Sequence, residues 1–289
     1  MPAQAGRRVI VTGANSGIGL VAARELARAG ARVTLAVRSE EKGRAAAAGM
    51  PGEVDVRRLD LASLDSVRAF AGAWDEPLDL LVNNAGLMAP PYATTADGFE
   101  MQLGTNHLGH FALTGLLLDR LLAAPDPRVV TLSSGAHRMG QMRWDDLQWT
   151  QGYRPWAAYG QSKLANLLFT FELQRRAGEA GTPLRALAAH PGYAATELQK
   201  GTHSRAQELA MQVLNRVVAQ SADAGTLPTL YAATADLPGA TYVGPDGPGE
   251  MRGSPKVVGV SRAAADPASQ RRLWEVSEEL TGVRYAFAR

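Results

Sequence analysis

Residues 7–30 read RRVIVTGANSGIGLVAARELARAG. An apolar, β-branched run, RRVIV (7–11), gives way to a turn with glycines at 13, 17 and 19. That turn opens into a helical pattern, IGLVAARELARAG (18–30), which ends on Gly30. An ordinary strand-to-helix turn rarely needs three glycines. Glycines let the backbone approach a pyrophosphate closely, and the free N–H groups and positive dipole end of the next helix attract one. The spacing is G-x-x-x-G-x-G rather than G-x-G-x-x-G, so the strand–turn–helix context carries the nucleotide reading.

The alternation continues along the chain. Strands are predicted over 31–37, 54–59, 78–82, 127–133, 184–189 and 240–244. Helices are predicted over 39–48, 63–74, 97–122, 156–177 and 267–281, with Ser63 as an N-cap. Strands alternating with helices imply an α/β doubly wound parallel sheet of Rossmann type. With no internal repeat and no linker, residues 1–289 read as a single domain. The stretch 193–222 lies between strands and has its own helical pattern; 205–220 places Leu209, Val213 and Val217 on one stripe. It reads as an insertion covering the site, while 243–255, rich in Gly and Pro, reads as a loop.

Composition removes several function classes. Thirty Lys+Arg against 28 Asp+Glu leave a net charge of only +2, and no basic run supports nucleic-acid binding. The absence of cysteine rules out disulfides, thiolate metal sites and cysteine nucleophiles, and fits a reducing cytoplasm. His107 and His110 have a chelating spacing, but no acidic partner lies nearby, so no metal is expected. No apolar run is long enough to cross a membrane, and cytoplasmic localisation is expected.

YGQSK (159–163) sets a phenol and an ammonium four residues apart, on one face if helical. A free phenol has a pKa of about 10, and a neighbouring positive charge would lower it into the range useful for proton transfer. Ser134 ends the fifth predicted strand, where ligands collect in such sheets, and could hydrogen-bond a substrate oxygen. After the second strand the chain reads AVRSEEK (36–42). Val37 stands where an aspartate would select NAD, and Arg38 offers a charged fork suited to the 2′-phosphate of NADP.

TGANSGIG (12–19), NNAG (83–86) and YGQSK (159–163), in this order, resemble the motifs of the short-chain dehydrogenase/reductases, over nearly the whole chain. TNHLGHFALT (105–114), HPGYAATEL (190–198) and LWEVSEELTG (273–282) are similar to the branch of retinol dehydrogenases and the WW-domain-containing oxidoreductase. The resemblance implies a catalytic set of Asn106, Ser134, Tyr159 and Lys163. In it Lys163 also grips the nicotinamide ribose, and Asn106 holds a water linking Lys163 to solvent. It further implies cofactor contacts from Gly13, Asn15, Ser16, Gly17, Ile18 and Gly19. Others come from Asp60 and Leu61, from Asn84, Ala85 and Gly86, and from Pro191, Gly192 and Thr196.

The expected activity is NADP(H)-dependent interconversion of a carbonyl and an alcohol on a small apolar substrate. A non-catalytic NADP(H) sensor on the same fold is the alternative. The membrane anchor common in that branch is not seen, so retinoid substrates and membrane attachment are not carried over. Trp144, Trp149 and Trp156 cluster before Tyr159; they are expected to pack, with lining a substrate entrance as the alternative. The family pairs through helices matching 97–122 and 156–177, which admits a homodimer or homotetramer, although monomers occur in this branch.

Overall fold

The first strand already shows how the molecule is layered. In a computed structural model, which describes residues 1–192 and 221–287, Val9 and Val11 of β1 (Arg8–Thr12) enter one buried cluster and Ile10 enters another. Successive strand side chains point to opposite faces, so a strand apolar on both faces needs cover on both. Helices α1 (Gly17–Arg28) and α8 (Ala222–Thr234) cover one face; α3 (Leu64–Gly72), α5 (Gly109–Leu116) and α7 (Pro155–Glu179) cover the other.

The other strands are β2 (Arg32–Val37), β3 (Val54–Arg58), β4 (Leu80–Asn83), β5 (Arg128–Leu132), β6 (Arg185–Ala189), β7 (Tyr242–Pro245) and β8 (Pro255–Val257). They form one eight-stranded sheet in the order β3-β2-β1-β4-β5-β6-β7-β8. All neighbours are parallel except β7 and β8. The direction of winding reverses between β1 and β4. In a doubly wound sheet the crevice opens at the carboxyl ends of the strands at that point.

Most predicted elements stand, with differences at 97–122, 222–234 and 255–257. The helix expected over 97–122 begins at Met101, because residues 94–100 form a turn closed by the Thr94–Glu100 bridge. The buried Glu100 carboxylate then caps the N–H groups of Gln102 and Leu103. The helix runs as α4 (Met101–Leu103), a π-helical turn (Gly104–Leu108), α5 and α6 (Leu118–Leu122). Such turns occur frequently at functional sites.

Residues 255–257, at and just beyond the end of the expected loop 243–255, pair with β7 as the antiparallel edge strand. Helix α8 carries too little apolar periodicity to be read from sequence; Ser221 caps it by accepting from the Ala224 N–H. The insertion expected over 193–222 lies almost wholly outside the described residues. Helices α2 (Glu40–Ala47) and α9 (Pro267–Thr281) are the remaining α-helices among the described residues, where no helix is long and apolar enough to cross a membrane.

Candidate active site

The carboxyl ends of β1, β4, β5 and β6 converge on a cleft of about 400 Å³. Gly13, Asn15, Ser16, Gly17, Ile18 and Gly19 line one side, and Asn84, Ala85 and Gly86 the next. Of the other residues expected from sequence, Tyr159, Lys163 and Pro191 also line it, whereas Asn106 and Ser134 do not.

The glycine turn is built for close backbone approach. Gly13 and Gly17 have φ of 66° and 56°, in the left-handed region. A Cβ on Gly19 would lie 2.3 Å from Asn84 Nδ2 and 2.7 Å from the Gly13 carbonyl. Thr12 joins the turn to the 84–86 loop. Its hydroxyl oxygen accepts from the N–H groups of Asn84 and Ala85, both at 2.9 Å, and its carbonyl accepts from Asn84 Nδ2 at 2.7 Å. Ser16 gives α1 no side-chain cap, and the first turn holds no acidic residue. The orphan N–H groups and the dipole there suit an anion, so the turn fits the pyrophosphate of a dinucleotide.

Tyr159 and Lys163 share the inner face of α7, both buried. The Lys163 ammonium lies 5.8 Å from the Tyr159 ring centre and donates to the Leu132 carbonyl at 3.2 Å. Of the two serines after β5, Ser133 donates to the Lys163 carbonyl at 2.8 Å and is committed to packing. Ser134 opens a 3₁₀ turn (Gly135–Arg138), accepts from the Ala136 N–H at 3.2 Å, and is within hydrogen-bonding reach of the Tyr159 phenol.

The expected electrostatics need correction. Burial pushes the Tyr159 phenol above its ordinary pKa, and the Ser134 hydrogen bond only partly offsets this. The Lys163 charge does not overcome that burial, and the same burial lowers the Lys163 ammonium to about 8. Desolvation of both groups outweighs an attraction across the ring face.

Asn106 sits in the π-helical turn, fully buried. Its Oδ1 accepts from the Leu87 N–H at 2.9 Å, while Nδ2 donates to the Leu87 carbonyl and to Ser162 Oγ. The side chain therefore clips the cleft wall to the Tyr159 helix. A Cβ on Gly86 would meet Asn106 Oδ1 at 3.0 Å and Lys163 Nζ at 3.5 Å, so these groups lie immediately behind the wall.

A family model described as short chain dehydrogenase matches residues 7–207. The chain belongs to the short-chain dehydrogenase family. Human retinol dehydrogenase 13 is 44% identical to this short-chain dehydrogenase, covering 96% of this chain and 85% of that one. An uncharacterised protein from Mycobacterium paratuberculosis has a crystal structure that superposes with a TM-score of 0.85 at 53% identity, covering 99% of this chain and 97% of that one. A short-chain dehydrogenase from Shigella flexneri, complexed with NADP, gives 0.63 at 25% identity, covering 82% and 96%.

Other expected residues of this short-chain dehydrogenase fall around the cleft rather than on it. Arg38 follows β2, whose Ala36 carbonyl accepts from the Gly13 N–H at 2.8 Å. Arg38 is exposed and, among the described residues, has no ion-pair partner; Glu40 pairs with Arg44 instead. Asp60 and Leu61 follow β3, with the Asp60 carboxylate accepting from the Ala62 N–H. Gly192 lies just past Pro191, whereas Thr196 and His203 are outside the described residues.

No metal-binding group of three or more His, Cys, Asp or Glu occurs among the described residues. His107 and His110 are separately engaged, by Ser277 Oγ at 2.8 Å and Thr12 Oγ1 at 2.9 Å. Burial lowers their pKa values to about 3 and about 4.

Two of the three tryptophans before Tyr159 pack, as expected, rather than wall an entrance. Trp144 packs into the core beside the Arg272 guanidinium, and buried Trp149 stacks under Arg143 at 4.1 Å. Only Trp156 reaches the site, edge-on to Tyr159 at 6.2 Å between ring centres.

The sequence reading missed Leu87, Met88, Pro90, Leu132 and Ser133, which line the cleft beside recognised motifs. It also missed Gln102, whose buried amide accepts from the Ala89 N–H and donates to the Pro155 carbonyl, both at 2.9 Å. That amide ties the wall to the start of α7. Its only sequence signal is a polar residue at a helix position that turns out to be buried.

Proposed function

We propose that this short-chain dehydrogenase interconverts an apolar alcohol and its carbonyl, with NADP(H) as cofactor. The observation that carries the reading is the placement of Tyr159 and Lys163 in one cleft with the uncapped glycine turn. A bound nicotinamide would supply or accept the hydride. In reduction the Tyr159 phenol gives a proton to the developing alkoxide, and in oxidation the phenolate removes it. The Ser134 hydroxyl holds the substrate oxygen and the phenol together. Lys163, at about 8, is mostly protonated at neutral pH, and its charge opposes the desolvation that disfavours phenolate.

Arg38 supports the choice of NADP(H). It is exposed, lacks a carboxylate partner among the described residues, and follows the strand bonded to the glycine turn. The NADP in the Shigella flexneri structure agrees. The wall formed by Leu87, Met88 and Pro90 supports an apolar substrate. The names of the retinol dehydrogenases put large apolar alcohols among the first candidates.

The test is NADPH oxidation with a panel of apolar aldehydes and ketones, retinal included. Reduction of a panel member that disappears in Tyr159→Phe is expected. Binding of NADPH with no turnover of any carbonyl or alcohol would favour the non-catalytic sensor.

A further inference from the structure

Glu250, in the loop between β7 and β8, has φ 57°, in the left-handed region. A non-glycine residue persists there only where its surroundings hold it. Here the carboxylate is the anchor. Oε1 accepts from Arg138 Nη2 at 2.9 Å, and Oε2 lies 3.1 Å from His190 Nε2. Arg138 ends the 3₁₀ turn that Ser134 opens. Buried His190 follows β6, and its Nδ1 accepts from the Gly192 N–H at 3.2 Å.

A backbone N–H can only donate, so Nδ1 is the bare nitrogen and Nε2–H donates to Glu250. His137 shows the opposite tautomer. Its Nε2 accepts from the Ser261 N–H at 3.3 Å, so Nδ1–H donates to the Ser134 carbonyl at 2.7 Å. Gly192 has φ 68°, and a Cβ there would fall 2.4 Å from the Met251 carbonyl. The residue after Glu250 thus closes on the turn that the Glu250–His190 bond orients. Pro191, in that turn, lines the cleft with Tyr159 and Lys163.

We propose that Glu250 is a positioning residue for the cofactor. Through His190 it fixes the Pro191–Gly192 turn, and through Arg138 it fixes the turn that carries Ser134. This rests on the NADP(H) reading above. The turn follows β6, which lies beside β5 and is separated from β1 and its glycine turn by β4 and β5, so the effect falls on the nicotinamide half of the cofactor.

Binding is measured with two ligands: NADPH, and adenosine 2′,5′-bisphosphate, which lacks the nicotinamide half. Glu250→Ala is expected to weaken NADPH about tenfold and to leave the bisphosphate within about twofold. Glu250→Gln keeps an oxygen to accept from Nε2–H and should recover most of the loss. The double variant Glu250→Ala/His190→Ala should lose less NADPH affinity than the sum of the two single losses, because part of the Glu250 effect runs through His190.

NADPH binding unchanged in Glu250→Ala, or both ligands weakened equally, overturns the proposal. The ¹⁵N spectrum of the wild-type histidines gives a readout free of the cofactor. His190 should be protonated on Nε2, and a ring protonated on Nδ1 sinks the Glu250–His190 link. A wild type that binds neither ligand, with the expected tautomer in place, would instead defeat the NADP(H) reading on which the proposal stands.

Discussion

The Lys163 ammonium faces the Tyr159 ring from 5.8 Å and spends a hydrogen bond on the Leu132 carbonyl. It is therefore placed to act by charge, through space, rather than as a partner of the hydroxyl. Both groups are buried, and burial moves their pKa values in opposite directions: phenol up, ammonium down to about 8.

Turnover should depend on both residues. Tyr159→Phe and Lys163→Ala are each expected to lower kcat by about 10³-fold, with the fold intact by circular dichroism. In alcohol oxidation the ionisation assigned to Tyr159 should move to higher pH in Lys163→Ala. A rate within about tenfold of wild type in either variant would remove that residue from the chemistry.

Lys163 should cost stability where it is charged. Its folded pKa, about 8, lies below the ordinary lysine value. Between the two values the unfolded chain holds the proton and the folded chain has released it. Stability from this group therefore rises with pH through that window and is least at pH 7. Lys163→Met is expected to raise urea stability at pH 7 by about 1–3 kcal/mol, with a smaller gain at pH 10. An equal gain at both pH values would show that the ammonium is not destabilised by burial.

Arg38 should choose the cofactor. NADPH is expected to exceed NADH by at least about tenfold in kcat/KM, equivalent to about 1.4 kcal/mol. Arg38→Asp should erase or reverse the preference without touching Tyr159. Equal use of the two cofactors by the wild type would assign selection elsewhere.

Gly19→Ala should fail sterically. Its Cβ would come within 2.3 Å of Asn84 Nδ2, a side chain already held by the Thr12 carbonyl. Relief requires breaking that bond or shifting the turn. A stability loss of about 1–3 kcal/mol and at least a tenfold weaker NADPH affinity are expected, by thermal melting and titration calorimetry. Wild-type affinity would mean the turn has slack that its packing does not suggest.

The chain should be monomeric at micromolar concentration. The resemblance admits pairing through 97–122 and 156–177, but α9 and residues 283–287 pack on these helices from within the same chain. Trp274 and Tyr285 lie 5.2 and 4.9 Å from Phe111 between ring centres, and the Tyr285 hydroxyl donates to the Phe111 carbonyl at 2.6 Å. Deleting 283–289 should expose this cluster, cost about 3–5 kcal/mol and promote association. Light scattering showing a wild-type dimer would mean that another face pairs.

The sequence by itself determined the strand–helix alternation, the glycine turn, and the pairing of Tyr159 with Lys163 on one helical face. These rest on local period and spacing, which short-range geometry converts directly into structure. The resemblance points to Ser134 rather than Ser133, and only the fold shows that the Ser133 hydroxyl is engaged by the Lys163 carbonyl. Tertiary structure alone decided the rest. Where 97–122 divides, Gly104 packs against Thr95 in the turn before the helix and Gly109 against Leu61 far back in the chain, contacts that a helical period does not show. The tryptophans share a neighbourhood in sequence but go to different packing environments, which no spacing rule anticipates. The Tyr159 pKa follows a balance between burial and neighbours that exists only once the cleft has formed. The tautomers of His137 and His190 are set by backbone N–H groups of Ser261 and Gly192, whose direction only the folded chain defines.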